Sequence, residues 1–393
     1  MAVETAPARD PLDLSAEERS VRDTVRDWAQ REVAPGAAQR DEEERYDVSL
    51  FHRAGELGIT GLPYPERYGG AGLGTFAWIL AAEEVAAADM GMAVSLSVHI
   101  LSQLCIFANG TDEQKERFLP PMTAGRELGA FALTEPGAGS DAAALSLSAR
   151  RDGDAYLLSG TKIWITNAGE AARYVVFGTV DRAKGKNGIT AFVVEADTPG
   201  FRLGSKERKM GIRGTTGYEL VFEDARVPAE NRLGAEGEGL RVALSALGAG
   251  RVGIAAACTG LARSALEHAA RYALQRRQFG RAIAEQEMIQ GMLAEMAVRV
   301  EAARLLTWKA ARLRDAGGSI NTASSMAKWY ASDAAMAVST DAVQIYGGAG
   351  YSRDNPVERF MRDAKGAQIY EGTNQIHRLI VAQDLLDSVR RES

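Results

Sequence analysis

Glu371 is the residue in this chain whose surroundings most directly suggest chemistry. It lies in QIYEGTNQIHR (Gln368–Arg378), flanked by Ile369, Tyr370 and Gly372 rather than by polar residues. A charge among apolar neighbours costs solvation free energy, so such a carboxyl is paired, neutralised, or held there because its proton affinity is used. Four other segments carry weaker signals. In FALTEPGAGSD (Phe131–Asp141) a short apolar run leads into a loop where Gly137 and Gly139, having no Cβ, let backbone N–H groups approach an anion or a flat ring. A generic type II turn also explains those glycines, but not Thr134, Glu135 and Ser140 at these spacings. In KIWITNAG (Lys162–Gly169) strand alternation puts Trp164 and Thr166 on one face, an arrangement able to flank a planar heterocycle, although a core tryptophan fits the same pattern. RRQFG (Arg276–Gly280) ends a long helix with two cations, suited either to the helix dipole or to a pyrophosphate. QIYGGAG (Gln344–Gly350) reads as a helix C-cap without any ligand.

Several function classes lose their support. No G-x-G-x-x-G joins a strand to a helix, and no Walker A sequence or G-x-S-x-G elbow occurs. The four histidines (His52, His99, His268, His377) are scattered outside metal-binding spacings, so no metal site is expected, and His377 reads as a surface or helix-stabilising residue. With a net charge of −6 and no Lys/Arg block, nucleic acid is not an expected partner. The two cysteines, Cys105 and Cys258, lie in apolar stretches and read as core residues, which suits a reducing cytoplasm. The N-terminus has neither a signal-peptide core nor transit-peptide character, and the longest membrane candidate, around Val242 to Leu261, is interrupted by Gly248, Gly250 and Arg251. A cytoplasmic protein with no membrane association is expected.

The elements that must position these residues follow from periodicity. At 393 residues, two or three packed regions are expected. Residues 1–125 read as all-helical, opening with a Ser15/Glu18 capping box and a helix that Pro35 ends, followed by helices over 48–57, 76–87, 92–108 and 113–123. Residues 126–235 show period two with Gly and Asn-Gly turns, predicting a β barrel or sandwich in which Asp181–Gly188 is a hairpin loop. Residues 236–393 return to helical periods over about 238–274, 286–315, 320–345 and 373–389, with alanine-rich faces that suit a four-helix bundle.

Taken in order, FALTEPGAGSD, KIWITNAG, KMGIRGT (Lys209–Thr215), LGAGRVGIAA, RRQFG, QIYGGAGY and IYEGTNQIHR resemble the acyl-CoA dehydrogenase family over about residues 15 to 388. The resemblance implies a mostly α fold with a middle β domain and a C-terminal four-helix bundle. It also implies noncovalent FAD, a homotetramer built as a dimer of dimers, and electron-transfer flavoprotein as acceptor. Phe131, Leu133, Thr134, Gly139 and Ser140, with Trp164, Ile165 and Thr166, would line the isoalloxazine, Thr134 and Thr166 bonding its polar edge. Arg276, Phe279, Gln344, Gly347 and Gly348 would reach the FAD of the adjacent subunit, while Thr373 and Gln375 would touch the pyrophosphate in their own. Ser140, Arg251, Tyr370 and Gly372 would lie along the acyl-CoA. Glu371 would remove the Cα proton while Cβ delivers a hydride to flavin N5, giving a trans-2-enoyl-CoA. Its own N–H and a ribityl hydroxyl would stabilise the enolate oxygen.

Three positions depart from the family pattern. Gly250 stands where the isovaleryl and long-chain members carry their base, which leaves Glu371 as the candidate. Gly248 replaces a usual Asp near the CoA, and Glu287 replaces a usual Gln near FAD. GTKIWITNAG, MGIRGT and ARLLTWKAA look most like short-chain, butyryl-type members, so short to medium straight chains are expected. An acyl-CoA oxidase or a flavin monooxygenase of the same fold is the alternative activity, and a silent flavin-binding scaffold the non-enzymatic one.

Overall fold

The computed structural model describes residues 13–392. Six helices come first: α1 (Ala16–Trp28), α2 (Ala37–Glu42), α3 (Val48–Glu56), α4 (Gly74–Ala88), α5 (Met90–Asn109) and α6 (Asp112–Thr123). The capping box opens α1 as expected, Ser15 Oγ accepting from Glu18 N at 3.1 Å while Ser15 N donates to the Glu18 carboxylate at 2.8 Å. Pro35 does not end the helical path. A π turn over Ala29–Val33 and a 3-10 turn over Ala34–Gly36 absorb it and lead into α2, because proline near the start of a new turn lacks only an N–H that would be unsatisfied anyway.

Eight strands follow: β1 (Gly129–Ala132), β2 (Ser148–Asp152), β3 (Ala155–Thr166), β4 (Arg173–Thr179), β5 (Ile189–Glu195), β6 (Phe201–Lys206), β7 (Gly217–Pro228) and β8 (Arg232–Leu233). They form one sheet in the order β6-β7-β3-β2-β4-β5-β8, with β1 pairing parallel to β4. Asp181–Gly188 joins the antiparallel strands β4 and β5 as the expected hairpin loop, with a 3-10 segment inside it.

The last part holds α7 (Gly239–Gln275), a small hairpin of β9 (Arg277–Gln278) and β10 (Arg281–Ala282), then α8 (Glu287–Asp315), α9 (Asn321–Tyr346), α10 (Val357–Ala367) and α11 (Asn374–Glu392). Helix α10, which sequence periodicity did not anticipate, sits directly before the Glu371 turn.

The two helical regions do not have separate cores. Helix α7 packs against α4 and α5 as well as α8 and α9, and one apolar cluster runs from Val25 and Trp28 through Ile79 and Val85 to Ala255, Ala262, Ala335 and Ala364. Small residues on α7 allow that approach; at Gly260 an added Cβ would lie 2.0 Å from the Glu83 carbonyl oxygen. Helices α5 and α7 are long and apolar enough to cross a membrane by length and composition, contrary to the sequence expectation. Both are mostly buried within the protein, which accounts for their composition. Cys105 and Cys258 are free and buried, as expected.

Candidate active site

The TEPGAGS loop is anchored by a buried ion pair. Lys162 Nζ on β3 donates to Glu135 at 2.8 Å and to the Leu133 carbonyl at 2.9 Å. Glu135 also accepts from Ser146 N (2.6 Å), Ser146 Oγ (2.9 Å) and Leu147 N (2.9 Å). Burial pushes the Glu135 pKa up, but the charge and hydrogen bond of Lys162 and the two backbone donors outweigh it and hold the carboxyl below its ordinary range.

Gly137 and Gly139, beyond this anchor, are not at positive φ, so a type II turn does not explain them. An added Cβ at either position would meet nothing within 4 Å. The N–H groups of Gly137, Gly139 and Ser140 find no acceptor among the described residues. Neither backbone conformation nor packing among the described residues calls for glycine here, and Gly137, Gly139 and Ser140 are exposed.

Trp164 lies in a bulge rather than in regular alternation. Lys162 pairs with Leu220 and Ile165 with Tyr218, and Trp164 adopts a φ of +60°. Its indole is 57% exposed and Thr166 is half-buried, while Ile165 between them enters the sheet core. Leu133 is buried, Phe131 and Thr134 are half-buried, and Gly139 and Ser140 are exposed at the loop.

Arg276 caps α7 in extended conformation, and Phe279 stands 95% exposed at the tip of the β9–β10 hairpin with a φ of +52°. Tyr272 stacks on Tyr346 with ring centroids 4.0 Å apart, which brings the end of α7, just before this hairpin, beside the end of α9, where Gln344, Gly347 and Gly348 lie. Gly347, at φ +62°, begins the 3-10 turn as the expected C-cap. Thr373 and Gln375 lie instead with Glu371, at the start of α11. Among the described residues no hydrogen bond or ring contact joins these two groups to each other or to Trp164.

Glu371 projects from the turn between α10 and α11 at φ +54°, and Gly372 follows at φ +93°. Both carboxylate oxygens are buried and have no hydrogen-bond partner. Burial raises the pKa of the carboxyl to about 7, against the nearby charges of Lys328 and Arg251. Arg251 on α7 is buried and reaches Asn321 Oδ1 (3.2 Å) and Ser325 Oγ (3.4 Å), not the carboxylate. The Tyr370 hydroxyl is likewise buried without a partner. Among the described residues the Glu371 N–H also has no acceptor.

A cavity of about 260 Å³ is lined in part by Trp78, Ile100, Leu101, Leu104, Phe107 and Gly250, and also by the charged Arg314 and Asp315, but not by Glu371 itself. Gly250 connects the two, since an added Cβ there would lie 2.6 Å from Glu371 Oε2. A larger hollow of about 720 Å³ bordered by α1, α2, α7 and α10 is lined by charged residues and contains none of the candidate residues.

Sequence reasoning missed Lys328 on α9 and misplaced His377. His377 is fully buried under Gly372, its Nε2 3.2 Å from where a Cβ on that glycine would be; among the described residues neither ring nitrogen has a partner at hydrogen-bond geometry, and the Gly372 and Glu371 backbone are the nearby polar groups. Burial, with the Lys328 and Arg251 charges, depresses its pKa to about 3. The signal available was the helical spacing of His377 from Thr373, which places it on the inward face of α11. Lys328 stands among alanines and serines in a helix that otherwise reads as core.

The chain thus joins two helical regions through one sheet and places an unpartnered buried carboxylate in the turn before its last helix. The N-terminal, middle and C-terminal domains of acyl-CoA dehydrogenase match residues 15–126, 130–225 and 237–386. An acyl-CoA dehydrogenase of Bacillus subtilis is 47% identical over 95% of this chain and 99% of its own. The butyryl-CoA dehydrogenase structure from Megasphaera elsdenii superposes with a TM-score of 0.94 at 44% identity, covering 96% of this chain and 100% of that one. A glutaryl-CoA dehydrogenase of Mycobacterium smegmatis in complex with FADH2 gives a TM-score of 0.90 at 33% identity, covering 95% of both chains. The chain belongs to the acyl-CoA dehydrogenase family and is an FAD-dependent oxidoreductase. The exposed glycine loop, its free N–H groups and the exposed Trp164 indole fit a flat, anionic cofactor of that kind.

Proposed function

We propose that this enzyme desaturates short- to medium-chain acyl-CoA thioesters between Cα and Cβ, with Glu371 as the base. The observation that carries this reading is the Glu371 carboxylate, buried and without a hydrogen-bond partner among the described residues, packed against Gly250, which lines a mostly apolar cavity. With a pKa near 7 the group is available as a carboxylate at neutral pH yet basic enough to take a carbon-bound proton. The proton leaves Cα for a Glu371 oxygen, and the unused Glu371 N–H donates to the thioester oxygen as charge develops there. FAD, when bound, would supply the two-electron oxidation that takes the hydride from Cβ. Trp78, Ile100, Leu104 and Phe107 receive the alkyl chain and exclude water.

Residues of the TEPGAGS loop, with Trp164, Ile165 and Thr166, would hold the flavin ring, and Thr373 and Gln375 its pyrophosphate. Arg276, Phe279, Gln344, Gly347 and Gly348 would serve the cofactor of a neighbouring subunit in a homotetramer; the exposure of Phe279 supports a covered surface there. Ser140, Arg251, Tyr370 and Gly372 would flank the thioester. Domain limits near residues 125 and 235, a cytoplasmic location, fatty-acid β-oxidation as the setting and electron-transfer flavoprotein as the acceptor complete the reading.

The test is flavin bleaching with acyl-CoA thioesters from C4 to C16. Wild-type protein is expected to bleach with the shorter chains. Glu371→Gln is expected to remain yellow and not to bleach, and bleaching at the wild-type rate would overturn the assignment.

A further inference from the structure

Two cations act on the Glu371 carboxylate without hydrogen-bonding to it, Arg251 on α7 and Lys328 on α9, while His377 on α11 lies under Gly372. Lys328 is the one whose contacts explain its presence. It is completely buried, and no carboxylate lies within ion-pair distance of it among the described residues. Its Nζ instead donates to the Gly372 carbonyl at 2.7 Å and to Asn374 Oδ1 at 3.2 Å. Asn374 is fixed in turn, its Nδ2 donating to Ser332 Oγ at 2.9 Å and to Asp333 Oδ1 at 2.8 Å.

Burying an ammonium is costly, and a lysine whose only purpose was to fill space here would be replaceable by methionine. The backbone it grips is the strained part of the turn. Glu371 is a non-glycine residue at φ +54°, a conformation that persists only when its surroundings fix it, and Gly372 follows at φ +93°, which glycine takes freely. The Lys328 hydrogen bonds supply that restraint from the neighbouring helix, and its charge lies near enough to act on the carboxylate.

We propose that Lys328 is a positioning residue for the base, clamping the Gly372 carbonyl and Asn374 so that the Glu371 carboxylate is held unpartnered against Gly250. This rests on Glu371 being the base. The other charged and titratable groups near that carboxylate are Arg251 and Cys258 on α7 and Tyr370 beside it in the turn, with Asp333 near Lys328 on α9 and His377 on α11 against the Glu371–Gly372 backbone.

The test compares Lys328→Met, Lys328→Arg and Glu371→Gln in the FAD-loaded enzyme. For Lys328→Met, kcat is expected to fall about 30-fold or more with KM changed less than about threefold, as for an interaction used in the chemical step. The midpoint at which kcat/KM rises with pH is expected to move up by about one unit, because a cation that favours the ionised base is gone. Lys328→Arg is expected to restore the midpoint and part of kcat. A readout independent of turnover is the pH dependence of thermal stability, where the Glu371 contribution should move upward by the same amount in Lys328→Met. If that variant does not fold, Lys328→Gln replaces it with the same expectations. An unchanged midpoint together with unchanged kcat overturns the proposal, as does a loss of kcat with no midpoint shift that Lys328→Arg fails to reverse. Should Glu371→Gln turn over normally, it is the base assignment that falls; should Glu371→Gln be dead while Lys328→Met behaves as wild type, only the role of Lys328 falls.

Discussion

Glu135 and Glu371 are both carboxylates out of contact with bulk water, and the protein treats them in opposite ways. Glu135 is surrounded by donors: an ammonium, a hydroxyl and two backbone N–H groups. Glu371 has cations nearby and no hydrogen bond at all. Burial opposes ionisation in both places, and the sign of the net shift is decided by contact, downward for Glu135 and upward for Glu371. A satisfied buried charge fixes a loop. An unsatisfied one stores proton affinity, which is the state a base requires before substrate arrives.

The largest effect expected from this contrast is on turnover. Removing a general base is worth about 10²–10⁴ in rate, so Glu371→Gln should lower kcat toward the larger figure while leaving the β domain and the flavin in place. Glu135→Gln, by contrast, should leave the chemical step within about tenfold of wild type, since its role is to hold the loop. Steady-state rates with each variant at saturating acyl-CoA would separate the two carboxylates, and comparable losses in both would erase the distinction.

Stability should reverse the order. Lys162→Met leaves Glu135 buried without its cation, and breaking a buried pair from one side costs about 3–5 kcal/mol. A lowered unfolding midpoint, partly recovered when Glu135→Gln is added, is the expected result. Glu371→Gln should be neutral or stabilising, with a defined pH dependence. The Glu371 pKa rises on folding from its ordinary 4.5 to about 7. Its contribution is therefore fully present below pH 4.5 and is lost as pH rises through 7, a change of about 3 kcal/mol. Wild type and Glu371→Gln should accordingly unfold at similar temperatures near pH 4.5, with the variant more stable at pH 8. Identical pH curves would mean that the wild-type carboxylate is hydrated or paired in solution.

The sequence showed one half of this comparison more clearly than the other. Apolar flanks marked Glu371, and helix and strand periods placed most elements, because both are properties of neighbours along the chain. The Glu135–Lys162 pair spans 27 residues and Lys328 reaches Gly372 across 44, so no local pattern announced either. His377 was misread for the same reason: its burial is set by the packing of α11 against α9. The bulge at Trp164 was invisible because it depends on the register with β7 rather than on the KIWITNAG residues themselves. Pro35 misled in the other direction, as a local stop signal that tertiary packing carried through a π turn.

The smallest expected effect asks whether the Glu135 side of the comparison serves a ligand. An added Cβ at Gly137 meets no atom of the described residues within 4 Å, and the residue has no need of positive φ. Packing and strain therefore give no reason for Gly137→Ala to destabilise the protein, and the lower conformational entropy of the unfolded chain favours the variant by a few tenths of a kcal/mol, up to about 1. If the space is filled by the cofactor, the same methyl should weaken FAD binding by about tenfold, read by flavin release on dilution. Unchanged flavin affinity with unchanged stability would mean that Gly137 faces only solvent, and that the anchored loop approaches the cofactor through Gly139 and Ser140 instead.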